Sequence, residues 1–188
     1  MKAEFLAALA ASRGKTLLVL CHDEADSDAL GAAWVLADLL GGRAAVPRRV
    51  SEHARELQYK LKMPIIFDPD PAKFDLTIIV DTADAQQLPG CLPETYLLVD
   101  HHGKNSLVAG ARAAFYQPAD STCQLVWEIC QSLGLKIQGD HALALGAGIL
   151  GDTRYLATAA NGTIADLAAI LEAGGVSYRQ LLELFRIT

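Results

Sequence analysis

The chain of 188 residues carries 16 Lys and Arg against 22 Asp and Glu, with 52% apolar and 20% charged residues; that is the balance of one folded domain, not of a disordered or collagen-like chain. A formal charge of −6 excludes an extended nucleic-acid surface, which needs clustered Lys and Arg to displace counterions from phosphates, but leaves room for a small phosphate pocket. Cys21, Cys91, Cys123 and Cys130 lack CxxC spacing, so neither a zinc knuckle nor a disulfide framework is expected and the thiols read as reduced and mostly buried.

At the N-terminus only Lys2 precedes the apolar stretch Phe5 to Ala11, and Arg13, Gly14 and Lys15 interrupt it before a secretion signal could form, so a cytoplasmic location is expected. Apolar runs such as Thr16 to Cys21 and Leu76 to Val80 are far shorter than the roughly 20 residues of a membrane-spanning helix. Thr16 to Cys21 reads as the first strand. Asp28 to Leu40 follows as a helix whose stripe is Leu30, Trp34, Leu36, Ala37 and Leu40, ended by Gly41-Gly42. Ala44 to Val50 is the next strand, and Ser51 to Leu61 a second helix with Ser51 as its cap and Glu52 at the positive end of its dipole. Three further strands are expected at Leu76 to Val80, Thr95 to Val99 and Ala113 to Tyr116, set off by the turn-rich segments Asp68 to Pro71 and Gln87 to Pro93. The last third reads as helices at Thr122 to Leu133, His141 to Leu150, Thr163 to Ala173 and Ser177 to Phe185. The alternation predicts an α/β domain over residues 1–188, a mostly parallel sheet flanked by helices with a helical C-terminal third.

Ligands of open α/β sheets bind beyond the carboxyl ends of the strands, and there this chain places its acids. The first strand runs into His22, Asp26 and Asp28; the third ends at Asp81, with Asp84 close behind; the fourth ends at Asp100, His101 and His102; Asp152 follows the apolar helix through Gly151. Asp28 or Ser27 taken alone reads equally well as a helix cap. The set as a whole, carboxylates mixed with imidazoles, is what hard or borderline divalent cations need. His53 and His141 have no such companions and read as surface or capping residues. Neighbours along a strand point to opposite faces, which argues against Cys21 and His22 as a nucleophile pair. Gly31 costs about 1 kcal/mol relative to Ala inside a helix, and either a close approach or packing of the helix on the sheet accounts for it.

Four segments carry a resemblance to the DHH phosphoesterase superfamily. His22-Asp23-Glu24-Ala25-Asp26-Ser27-Asp28-Ala29-Leu30-Gly31 resembles its H-x-x-P-D-x-D-A-x-G motif, and Asp81-Thr82-Ala83-Asp84 the second. Asp100-His101-His102 with Asn105 resembles the third, and Gly148 to Thr153 the fourth. Ala119 to Thr122 is similar to the family's Ser-Thr turn. Ala25, Ala32, Gln86, Gln87 and Arg154 depart from the common residues without removing a ligand, and Arg154 reads equally as a phosphate contact or a solvated cation. The superfamily contains RecJ-type exonucleases, oligoribonucleases, cyclic-dinucleotide phosphodiesterases, family II pyrophosphatases and exopolyphosphatases. Its second, substrate-binding domain has no counterpart in these residues, so the chain is expected to be the Rossmann-like catalytic domain alone.

The resemblance implies that His22, Asp26 and Asp81 hold one metal and that Asp28, Asp81, His101 and Asp152 hold another, with Asp81 as the bridge. Asp100 would orient a histidine and His102 would face the phosphate. Two divalent cations are implied; the oxygen-rich ligands favour manganese or magnesium over zinc, and the two imidazoles favour manganese. The expected activity is metal-dependent hydrolysis of phosphodiester bonds in small nucleotides, cyclic dinucleotides or short oligonucleotides. A pyrophosphatase-like or exopolyphosphatase-like activity and a non-catalytic nucleotide sensor are the alternatives. No membrane partner is expected, and a homodimer stays open.

Overall fold

The computed structural model describes residues 2–12 and 14–185. In chain order it comprises α1 (Lys2–Ala10), β1 (Leu17–Leu20), α2 (Ser27–Leu40), β2 (Arg43–Val46), α3 (Glu52–Leu61), β3 (Ile65–Phe67), β4 (Leu76–Val80), β5 (Tyr96–Asp100), β6 (Ala113–Tyr116), α4 (Thr122–Leu133), α5 (Gly139–Asp152), α6 (Asn161–Gly174) and α7 (Tyr178–Glu183). β1, β4 and β5 are buried at every position. Continuous apolar runs of this kind belong to parallel strands covered on both faces. The six strands form one sheet in the order β3-β2-β1-β4-β5-β6, and every pairing is parallel.

The sheet's two faces are covered differently. Leu17, Val19, Ile78, Val80, Leu97 and Val99 pack into a large core with the helices. Leu18, Leu20, Ile79 and Leu98 face a smaller core closed by Leu88, Cys91 and Leu107, which lie on or beside the short 3-10 turns Ala85–Gln87 and Val108–Gly110. All four cysteines are buried and unpaired in disulfides, as the sequence implied.

Several boundaries differ from the sequence expectation for identifiable reasons. β2 ends at Val46 and not at Val50, because Pro47 has no N–H to offer a ladder; only Val50 regains a single bridge, to Ala25. β3 and α1 were not expected at all. Three residues on a half-exposed edge leave little pattern to read, and α1 buries only Phe5 and Leu9, with Phe5 set edge-on to Phe115 of β6 at 5.7 Å. The cap of α2 is Asp26, whose side chain accepts from the amides of Asp28 and Ala29, so neither Ser27 nor Asp28 plays that part.

α2 is buried from Ser27 to Ala37 and lies against α5. A Cβ on Gly31 would come within 2.7 Å of the Ala144 carbonyl oxygen of α5, so this glycine sets a helix-to-helix distance, not packing on the sheet. A backbone oxygen cannot swing aside. Gly31→Ala is therefore expected to lose at least ~1 kcal/mol of stability, overpacking outweighing alanine's better helix propensity. Gly162→Ala, where an added Cβ meets nothing within 4 Å, is the control. Urea denaturation checks this, and a Gly31→Ala protein as stable as the parent would contradict it.

Candidate metal centre

The order of winding reverses between β1 and β4, which opens a crevice at their carboxyl ends. Into it project His22 from the end of β1, Asp81 from the end of β4 and His101 from the end of β5, while Asp26 and Asp28 arrive at the start of α2 and Asp152 at the end of α5. Potential ligand atoms fall into three overlapping groups, each within 4.8 Å: His22 with Asp26 and Asp81; Asp28 with His101 and Asp152; and Asp81 with His101 and His102. All six residues expected from sequence as ligands thus converge. Asp84 does not join them; it is exposed, accepting from the Gln86 amide at 2.8 Å and the Ser106 hydroxyl at 2.9 Å.

Most of these side chains are aimed by a second contact. His101 Nδ1 lies 3.0 Å from the Ala119 carbonyl oxygen, a contact that requires Nδ1–H as donor and leaves Nε2 as the nitrogen facing the crevice. That Nε2 is 3.3 Å from Asp152, 3.5 Å from Asp81 and 4.0 Å from Asp28. His22 repeats the device: Nδ1 is 2.8 Å from the Asp23 carbonyl, and Nε2 is 3.8 Å from Asp81. Asp28 accepts from the amides of Thr122 at 2.6 Å and Cys123 at 2.9 Å, at the positive end of α4. The buried Thr122 hydroxyl donates to Asp81 at 2.7 Å.

Asp100 serves a different histidine from His101. Its carboxylate lies 2.9 Å from His102 Nδ1 and accepts from the His102 amide at 3.0 Å and from Asn105 Nδ2 at 2.9 Å. With Nδ1 so engaged, Nε2 of the half-buried His102 ring is the nitrogen left for a ligand. The Asp100 bond is the chief reason the His102 pKa is raised.

Electrostatically the crevice is short of positive charge. Burial, then Asp81 and Asp152, push Asp28 well above the usual carboxylate range; burial, then Asp26, push Asp81 up to about 6. Burial alone would lower His101, but the bond to Asp152 and the fields of Asp28 and Asp81 outweigh it and hold its pKa at about 10. Asp28 is 0% and Asp81 2% exposed, and buried like charges of this kind call for a cation. Oxygen-rich ligands joined by imidazole nitrogens fit a hard or borderline divalent metal, which would displace the proton on His101.

Strained backbone occurs here as well as at Lys62 and Asp68. Glu24, Asp81 and the consecutive residues Arg154, Tyr155 and Leu156 all have φ between 50° and 71°, at about 1–2 kcal/mol for each non-glycine residue in the left-handed region. Sequence reading passed over two residues here. His53, exposed near the start of α3, and Tyr155 line a cavity together with Asp26, Asp28 and Asp152; neither has a sequence signal beyond residue type. His141 is buried and not on the surface, but it has the capping part expected of it: its Nδ1 accepts from the Gln138 amide at the start of α5 at 3.2 Å, and its Nε2 lies 3.0 Å from Asp38.

Residues 16–151 match the family described as DHH family, N-terminal domain. The uncharacterized protein MJ0988 of Methanocaldococcus jannaschii is 26% identical over 179 residues, 89% of this chain and 54% of that protein. The chain spans about half the length of that relative. Among solved structures, an exopolyphosphatase-related protein from Bacteroides fragilis superposes with a TM-score of 0.82 at 15% identity, over 100% of this chain and 61% of that one. A family II inorganic pyrophosphatase candidate from Methanococcus jannaschii gives 0.75 at 21% identity, over 90% of this chain and 60% of that one. At these identities the two structures establish the shared fold.

The upward shifts of Asp28, Asp81 and His101 have one sign. Each contributes stability that is complete below the group's unfolded value and lost as pH rises through the folded one, which for Asp81 spans 3.8 to about 6 and for His101 6.5 to about 10. The melting temperature of the chelated protein is therefore expected to fall between about pH 5 and about pH 9. Manganese should raise it by an increment that grows over the same range, as protons cease to compete for the ligands. Thermal melts with and without metal check both, and a manganese increment largest at the acid end would contradict the assignment of these groups as ligands.

Proposed function

The chain belongs to the DHH family, and from that premise we propose that it is a two-metal phosphoesterase acting on phosphodiester bonds of small nucleotides or short oligonucleotides. The observation that carries this reading is the overlap of the ligand groups, with Asp81 within reach of both His22 and His101. His22, Asp26 and Asp81 would hold one cation, and Asp28, Asp81, His101 and Asp152 the other, with manganese preferred. Bound there, the cations would supply Lewis acidity to the phosphoryl oxygens and make water nucleophilic near neutral pH.

The protein's own groups do the rest. The Ala119 and Asp23 carbonyls hold His101 and His22 by Nδ1, so that Nε2 is the nitrogen each ring would offer a cation. The Thr122 hydroxyl and the α4 amides fix Asp81 and Asp28 in ligating orientation. Asp100 favours the imidazolium form of His102 and directs its Nε2–H outward, where it would donate to a phosphoryl oxygen and stabilise charge gathering during in-line attack. Asn105 and Tyr116, the latter bonded to the His102 carbonyl at 2.7 Å, keep this unit rigid.

A second reading, hydrolysis of phosphoanhydrides, draws on the solved neighbours named for polyphosphate and pyrophosphate chemistry. Assays in manganese over dinucleotides, cyclic dinucleotides, pyrophosphate and tripolyphosphate separate the two. Phosphodiesters are expected to turn over, with activity lost in chelator and restored by manganese. Turnover in excess chelator, or of anhydrides alone, would overturn the proposal.

The roles of the adjacent histidines are separable as well. His101→Ala is expected to lose metal by elemental analysis. His102→Ala is expected to keep its metal while kcat falls about 100-fold, the usual scale for loss of one charge-stabilising donor. Equal metal loss in two folded variants would refute the division.

A further inference from the structure

The cavity beside the metal centre is lined by unlike groups. Its volume is about 390 Å3, within the range of small-ligand sites; Asp26, Asp28 and Asp152 line it together with His53, Tyr155 and Phe185. Tyr155 and His53 also line an adjoining cavity of about 360 Å3 whose rim includes Glu52 and Glu56. Tyr155 is 56% exposed, so part of its ring is open to a ligand in these cavities.

The backbone that carries the ring is held firmly. Tyr155 is the middle residue of the left-handed run Arg154–Leu156. That turn is pinned by the Tyr155 amide donating to the Leu150 carbonyl at 2.8 Å, and by the buried Thr153 hydroxyl, which donates to the Ile149 carbonyl at 2.5 Å and accepts from the Leu156 amide at 3.1 Å. Phe185 meets the ring at a steep angle, with centroids 5.3 Å apart and planes at 73°, so the two rings are not stacked face to face. Strained backbone that persists is a feature of ligand clamps and active sites.

We propose that Tyr155 is a stacking platform for a nucleobase of the substrate, setting a preference for base-bearing phosphodiesters at the metal centre. A planar base has the π-face such a ring recognises irrespective of base identity. Being neutral, it also tolerates Glu52 and Glu56, which would repel the further charges of a polyphosphate running the same way. The inference rests on the phosphodiesterase reading for its choice of substrate, but stacking itself is measurable without turnover.

The test has two arms. In the first, 2-aminopurine riboside 5′-monophosphate, whose fluorescence falls on stacking, is titrated with magnesium-loaded protein. Quenching is expected with the parent and with Tyr155→Phe, and an apparent affinity about tenfold weaker with Tyr155→Ala. In the second, kcat/KM is compared for a dinucleotide and for the same phosphodiester with abasic sugars, and Tyr155→Ala is expected to lower that ratio about tenfold. No quenching by the parent, or equal quenching by Tyr155→Ala, overturns the proposal even if dinucleotides are hydrolysed. A Tyr155→Ala protein that loses activity on both substrates in equal proportion shows a packing role and overturns it too. Quenching that depends on Tyr155 without any turnover sustains the stacking site and refutes the enzymatic reading instead.

Discussion

The crowding of Asp26, Asp28, Asp81 and Asp152 into one crevice is the constraint on which the rest of the structure depends. Carboxylates at these separations repel one another, and burial of Asp28 and Asp81 removes the water that would screen them. The surrounding fold supplies what compensation a protein can. The amino end of α4 presents two amides to Asp28, Asp26 is neutralised in part by the first amides of α2, Thr122 donates to Asp81, and His101 stands among three acids. Without metal, the imidazolium of His101 is the nearest positive charge the site contains. A divalent ion bound there would displace that proton and replace one positive charge with two, so that the same residues would destabilise the metal-free state and stabilise the loaded one.

The arrangement explains why the large core is built as it is. α2 must bring Asp26 and Asp28 to the crevice, and α5 must deliver Asp152 to the same point, so the two helices run in close contact. Gly31 and Gly148 keep them and α4 at that distance: a Cβ on Gly148 would meet Cys123 Sγ at 2.4 Å and Asp28 Oδ1 at 2.8 Å. The small residues of these helices are thus part of the ligand geometry.

Much of this was legible in the sequence, for a physical reason. Strands buried on both faces leave uninterrupted apolar runs, and a polar residue at their ends is conspicuous; that contrast located β1, β4 and β5 together with His22, Asp81 and His101. β3 and α1 were silent because an edge strand of three residues and a helix with two buried side chains carry almost no periodic signal. Ser27, Asp28 and Asp26 all suit a helix cap, and only the backbone decides that Asp26 takes it. Asp100 was expected to orient a histidine, but which of the two adjacent rings it serves is fixed by the turn after β5. Tyr155 was invisible because its importance lies in a left-handed turn of ordinary residues, and nothing in Arg-Tyr-Leu announces one.

The strand order has a consequence for how the protein comes into being. The six candidate ligands are spread from position 22 to position 152, and they meet only after β4 has inserted beside β1 and α5 has docked on α2. Parallel pairings of this kind are non-local and slow to form. A chain emerging from the ribosome therefore offers isolated Asp and His residues with little grip on any ion, and the candidate site appears late and all at once. A metal held by these residues would act as a latch on a finished fold and not as a seed for it.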